Sequence, residues 1–140
     1  MKKVIIIVIS FVLSGYVSCL NAQEFYILLG SGFKNDTITL TINNSTIIQN
    51  IIVRSDSIIG YSKDAEIVFK NQKITFLKNN KDVHTEAFEY NRDLKIIILI
   101  NKMPYVFYAD LKKGKYLVLN KHFYYYNVNL NQYKKPIAFE

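Results

Sequence analysis

Tryptophan is absent, cysteine occurs once, proline twice and glycine five times in 140 residues. A single cysteine excludes an intrachain disulfide framework. Scarce glycine and proline exclude collagen-like and linker-type chains, and a hydrophobic content of 50% excludes a disordered tail. Arginine is nearly missing, at two against 16 lysines. A nucleic-acid reader favours arginine, whose planar fork matches phosphates and guanine edges, so the net charge of +7 does not argue for a nucleic-acid partner. Histidine occurs twice. There is no Gly-rich phosphate loop, no Gly-x-Ser-x-Gly and no His-Glu-x-x-His. With no nucleophile–base–orienter set legible, the sequence predicts a non-enzyme without a cofactor.

What is abundant is Ile, Lys, Asn, Tyr, Phe and Met, together 72 of 140 residues. All have AT-rich codons, so a low-GC genome accounts for the bias and for much of the lysine charge.

The N-terminus reads as an export signal. Met1-Lys2-Lys3 is a positive n-region, Val4 to Leu13 an apolar core, and Ser14-Gly15 a break. The apolar run is shorter than the about 20 residues that an ordinary membrane-spanning helix needs. Cleavage after Ala22 would leave Gln23 first, making 1–22 a signal peptide and 23–140 a single domain. The alternative is a lipid on Cys19, which would anchor the same domain to a membrane. Either route places the protein in the periplasm, outside the cell, or at the envelope.

After residue 23 apolar residues recur with period two, not 3.6. Asp36 to Ile42 alternates strictly: Ile38, Leu40 and Ile42 on one side, Thr37, Thr39 and Thr41 on the other. Thr46 to Arg54 is a return strand after the turn Asn43-Asn44-Ser45. Further strands are read at 65–70, 73–78 and 83–90, and at 94–100, whose near-continuous apolar run predicts cover on both faces. Met103-Pro104 reads as an interruption before a strand at 105–109. Lys112-Lys113-Gly114 reads as a turn with positive φ at the glycine. Strands at 115–120 and 123–130 follow, with a short edge strand at 137–139. About eight short antiparallel strands at this spacing predict an all-β, immunoglobulin-like or Greek-key β-sandwich, with a small β-barrel as the alternative.

The segment Gly32-Phe33-Lys34-Asn35-Asp36, its alternating strand to Asn43-Asn44, and Arg54-Ser55-Asp56 resemble small secreted bacterial β-sandwich proteins. In those, a Gly-Phe-x-x-Asp sequence leads into an alternating strand closed by a turn. Asn44 stands where that pattern favours glycine. Lys112 to Leu119 and Lys135 to Phe139 fit the same resemblance. It implies a fold and no chemistry.

Candidate site residues are few. His84 and Glu86, at i and i+2, share one strand face and could form a base–orienter pair or a metal edge; a solvated polar face is the plainer reading. Asp36, Asp56 and Asp64 sit at strand ends or in loops and could converge on calcium at one pole of a sandwich; that Asp starts and caps turns is the plainer reading. Lys112, Lys113, Lys115, Lys134 and Lys135 read as edge-guarding lysines more readily than as an anion site. In His122 to Asn129, a strand would put Tyr124, Tyr126 and Val128 on the core face. It would put Phe123, Tyr125, Asn127 and Asn129 on the other. Aromatic faces beside amides suit sugar rings, so those four are the candidate ligand residues. The chain is therefore expected to be an exported binding module of the bacterial envelope or surface, with a glycan or a protein as ligand. A periplasmic inhibitor or immunity-type protein acting on an enzyme is the other class.

Overall fold

The computed structural model describes residues 23–55, 65–122, 124 and 127–137. Among them lie ten strands: β1 (Phe25–Leu29), β2 (Lys34–Ile42), β3 (Ser45–Arg54), β4 (Glu66–Lys70), β5 (Lys73–Lys78), β6 (Lys81–Ala87), β7 (Asp93–Ile100), β8 (Met103–Asp110), β9 (Tyr116–Lys121) and β10 (Val128–Tyr133). They form a six-stranded sheet of order β10-β9-β1-β4-β5-β6 and a four-stranded sheet of order β3-β2-β7-β8. The two sheets face each other across one core and close into no barrel, the β-sandwich that the alternation predicts.

Each sheet turns one row of side chains inward. Phe25, Ile27, Leu29, Ile67, Phe69, Ile74, Phe76, Leu117 and Leu119 come from the larger sheet. Ile38, Leu40, Ile42, Ile48, Leu94, Ile96 and Ile98 come from the smaller. Burying one such side chain contributes roughly 1.5–3 kcal/mol, and the domain has no disulfide to add to that among its described residues.

Asparagine sets the turns. Asn43–Asn44, Asn71–Gln72, Asn79–Asn80 and Asn101–Lys102 each join two antiparallel strands, with φ between 45° and 71° at every central residue. Positive φ at both positions is the two-residue hairpin geometry whose twist matches the flanking strands. Asn tolerates it better than other residues with a Cβ, because its short amide bonds the local backbone. Asn44, where the resemblance favours glycine, takes φ 71°.

Several expectations are corrected. Ten strands lie among the described residues, and one pairing departs from the antiparallel expectation, because β1 pairs parallel with β9. The chain leaves β1 for the other sheet, so the second edge of β1 stays open, and β9 arrives alongside in the same direction. β7 is central in its sheet but covered on one face only: Leu94, Ile96, Ile98 and Ile100 are buried, while Ile97 and Leu99 are half-buried on the outside. Met103-Pro104 does not interrupt a strand. β8 starts at Met103, and as an edge strand it turns residue 104 away from β7, where the missing N–H breaks no bond. Gly114 is not at positive φ; a Cβ there would lie 2.6 Å from the Tyr133 backbone, so close approach is its requirement. Residues 122–130 are not one strand. β9 ends at Lys121, opposite Val128 at the start of β10, and the His122 N–H donates to the Asn127 carbonyl (2.9 Å). Tyr124 is accordingly 93% exposed rather than in the core. Ile137 lies outside any strand.

Candidate functional site

The strand alternation stops after β6, and residues 88–92 cross from the six-stranded sheet to the four-stranded one. Rings hold this crossover down. Phe88 is 8% exposed and packs edge-on against Phe25 (6.3 Å, 71°) and Phe69 (5.8 Å, 66°). Phe25 and Phe69 are themselves stacked at 5.1 Å. Tyr90 tilts against Phe69 at 5.8 Å and remains half-buried. The Phe88 N–H donates to the Gln72 carbonyl (3.1 Å), tying the crossover to the β4–β5 turn. A loop fixed at so many points is a rigid platform.

Grooves run along both sides of it. One, of about 460 Å³, is lined by Gln23, Gln72 and residues 87–90. The other, of about 330 Å³, is lined by Asn43, Ser45 and residues 87–91. Both volumes lie in the range of small-ligand clefts. Two amides in the second groove are pre-oriented. Asn43 Oδ1 accepts from the Lys95 N–H (2.8 Å) and Asn91 Oδ1 from the Asp93 N–H (2.9 Å). Each oxygen is spent on a strand end, and neither amino group has a partner among the described residues. Glu89 is the one charged residue among the described lining residues. The nearby Arg92 is turned to Asp93 (3.6 Å) and Asp110 (3.7 Å). Such a surface offers aromatic carbon, amide donors and a carboxylate acceptor, and no cation for an anionic ligand.

The opposite end of the sandwich is built around one buried charge. Asp36 is 3% exposed. Its carboxylate takes the Lys121 ammonium on both oxygens (2.8 Å each), the Asn101 amide (2.6 Å) and the Lys34 N–H (2.9 Å). Burial alone would raise this carboxyl, but the bonds from Lys121, Lys34 and Asn101 outweigh it and hold it below its ordinary value. Gly32, at φ 88°, lies so close to the Lys121 carbonyl that a Cβ would sit 1.7 Å from it. Ser55 Oγ accepts from the Phe33 N–H (3.0 Å) and donates to the Gly30 carbonyl (2.7 Å). The Gly-Phe-x-x-Asp sequence is thus a lock: Gly32 permits the approach, Phe33 enters the core, and Asp36 binds β2 to β9 and to the β7–β8 turn.

The other displaced groups are also tied up or plainly packed. The Lys115 bond lowers Glu24, whose other oxygen accepts from Tyr26 OH (3.2 Å); Glu24 in turn raises Lys115. Burial raises Tyr26, which stacks on Tyr116 at 5.0 Å. Burial likewise raises Glu66 on the outer face of β4.

Of the residues expected to bind ligand, Phe123 and Tyr125 lie outside the described residues, as do Cys19, Asp56, Asp64 and Tyr126. Asn127 is exposed between β9 and β10, and Asn129 is half-buried on β10 opposite Asn120. His84 and Glu86 do meet, at 3.1 Å, on the exposed edge strand β6. Sequence reasoning passed over Phe88 to Asn91. The available signal was two aromatic residues flanking Glu89 just where alternation fails, since aromatics in a loop either anchor it or face a ligand. Comparisons with protein families, with curated proteins and with solved structures return no match.

Proposed function

We propose that the protein is a non-enzymatic, exported binding module of the cell envelope that takes a neutral saccharide in the grooves beside Tyr90. The observation that carries this reading is the pair Asn43 and Asn91, whose oxygens are held by backbone N–H groups and whose amino groups, at the rim of an aromatic groove, have no partner among the described residues. Sugars present C–H faces to aromatic rings and hydroxyls to amides and carboxylates. A groove whose one charge among the described lining residues is Glu89 disfavours phosphates, sulfates and uronates. Asp36 is engaged with Lys121 and Glu24 with Lys115, and Glu66, raised by burial, lines neither groove.

Calorimetric titration with neutral oligosaccharides released from envelope polysaccharide tests the proposal. Asn91→Asp keeps the acceptor that bonds the Asp93 N–H and replaces the amino donor by a second acceptor. It should weaken binding about five- to tenfold, the range for one lost hydrogen bond, with an unchanged melting temperature. Unaltered affinity in Asn91→Asp and Asn43→Asp, or preference for acidic over neutral saccharides, would overturn it. Export has its own test: N-terminal sequencing of the protein taken from the envelope fraction should begin at Gln23, whereas Met1 retained in the cytosol contradicts it.

A further inference from the structure

Four strands border the two sheets, and three of them are unsuited to pairing with another chain. β3 meets β2 through three register breaks. β6 carries Lys81, Asp82, His84 and Glu86 and has a break beside Val83. β10 shows Asn129, Asn131 and Gln132. Bulges, charges and polar side chains are the usual guards of an open edge.

Of the guards of an open edge β8 keeps only Pro104, with no bulge and no charge. It pairs with β7 through eight residues without a break and carries no charged side chain from Met103 to Ala109. Met103, Val106 and Tyr108 are 50%, 49% and 75% exposed. Its backbone groups without a partner among the described residues can be assigned. The Leu111 N–H donates to the Arg92 carbonyl (2.9 Å), so odd-numbered residues of β8 turn toward β7. Alternation then sends the backbone groups of Pro104, Val106 and Tyr108 outward. At Asp110 the edge is already closed, because Gln132 Nε2 donates to that carbonyl (3.1 Å).

We propose that this edge is the seam of a homodimer, β8 pairing antiparallel with β8 of a second copy about a two-fold axis at Val106. Backbone direction and charge select that axis. Centring on Tyr105 would set each Val106 carbonyl against Pro104, which has no N–H to give, and centring on Phe107 would bring Pro104 onto Asp110, whose carbonyl Gln132 already covers. Centring on Tyr108 would set Asp110, with its carbonyl engaged, against Val106. About Val106 the register is self-matching. Val106 exchanges both backbone bonds with its counterpart, and each Tyr108 N–H meets a Pro104 carbonyl. Tyr105 faces Phe107 on the inner side, and Pro104 faces Tyr108 on the outer side. Pro104, with no N–H, leaves the facing Tyr108 carbonyl to solvent and ends the ladder there. A chain of net positive charge resists its own approach, and this is the edge on which facing positions 104–108 bring no charge together. The two four-stranded sheets become one eight-stranded sheet, independently of what the grooves bind.

Sedimentation equilibrium of the protein as the cell processes it should give twice the monomer mass, falling to the monomer mass in Val106→Lys. Thr85→Lys, a lysine placed on the β6 edge instead, should leave the dimer intact. Should Val106→Lys fail to fold, amide exchange of the unmodified protein serves: the Val106 and Tyr108 N–H groups should become protected as concentration rises. A monomer at all concentrations, a dimer that survives folded Val106→Lys, or unprotected Val106 and Tyr108 in a dimer would each overturn the proposal.

Discussion

Where β1 gives way to β2, a carboxylate, an ammonium and two amide donors close the gap between the sheets; where β6 gives way to β7, phenyl rings do so instead. The first end is sealed by polar groups that satisfy one another completely. Asp36 has four bonds and Lys121 lies against both of its oxygens, which leaves nothing to offer a ligand. The second end is sealed by carbon, with Phe88 in the core and Tyr90 above it. Carbon does not consume the hydrogen-bonding capacity around it, so the amino groups of Asn43 and Asn91 and the carboxylate of Glu89 have no partner among the described residues. On the proposed reading the contrast separates two uses of polar residues in one small domain: locking, where every group is spent, and recognition, where some are left over.

The sharpest way to break the contrast is to remove one anchor at each end. Asp36→Ala strands the Lys121 ammonium against a partly buried pocket and should cost about 3–5 kcal/mol in urea unfolding at neutral pH. Phe88→Ala should cost about the same by loss of burial and packing. Acid then tells them apart. Asp36 has a lowered pKa when folded, so its contribution is fully present above the ordinary carboxyl value of 3.8 and is lost as pH falls through the lowered value. The Asp36→Ala deficit should therefore shrink in acid, while the Phe88→Ala deficit should not follow that titration. Equal pH dependence of the two deficits would contradict the lock.

Gly32→Ala tests the same end by sterics. It forces an alanine to φ 88° and a Cβ into the Lys121 carbonyl, and should cost about 2–4 kcal/mol by thermal unfolding. The smallest effect concerns what the ends share. Gln72 beside the grooves and Lys102 beside the lock both hold positive φ in two-residue turns. Gln72→Gly and Lys102→Gly should each stabilise by up to about 1 kcal/mol, and by similar amounts, because the backbone geometry is the same.

The strands were legible because burial has period two here, and β2 with its threonines on one side and Ile38, Leu40 and Ile42 on the other is the plainest case. Turns at Asn43–Asn44 and Asn71–Gln72 were legible from side chains that tolerate positive φ. Composition hid the rest. Asparagine abundance read as codon bias, yet eight of the ten non-glycine residues at positive φ among the described residues are asparagine. A strand such as β7 is apolar on both faces whether or not its second face is covered, so Ile97 and Leu99 gave no sign of their exposure. The tyrosine run before Asn127 fits alternation as well as β7 does, and only the β9–β10 register shows that Tyr124 is not part of it. The lock was written as a motif, but its partner Lys121 lies 85 residues away in sequence. The grooves were illegible for the same reason. Asn43 and Asn91 meet only because β2 and β7 are neighbours, and the bond from Lys95 to Asn43 spans 52 residues.

Amide NMR during titration with a neutral envelope oligosaccharide tests the central claim, that the open end recognises a ligand and the locked end only holds the sheets together. The account expects concentration-dependent shifts at Gln72, at Asn43 and along Glu89 to Asn91, with Gly32, Asp36, Asn101 and Lys121 unmoved. Shifts centred on Asp36 and Lys121, with the residues beside Tyr90 silent, would contradict it.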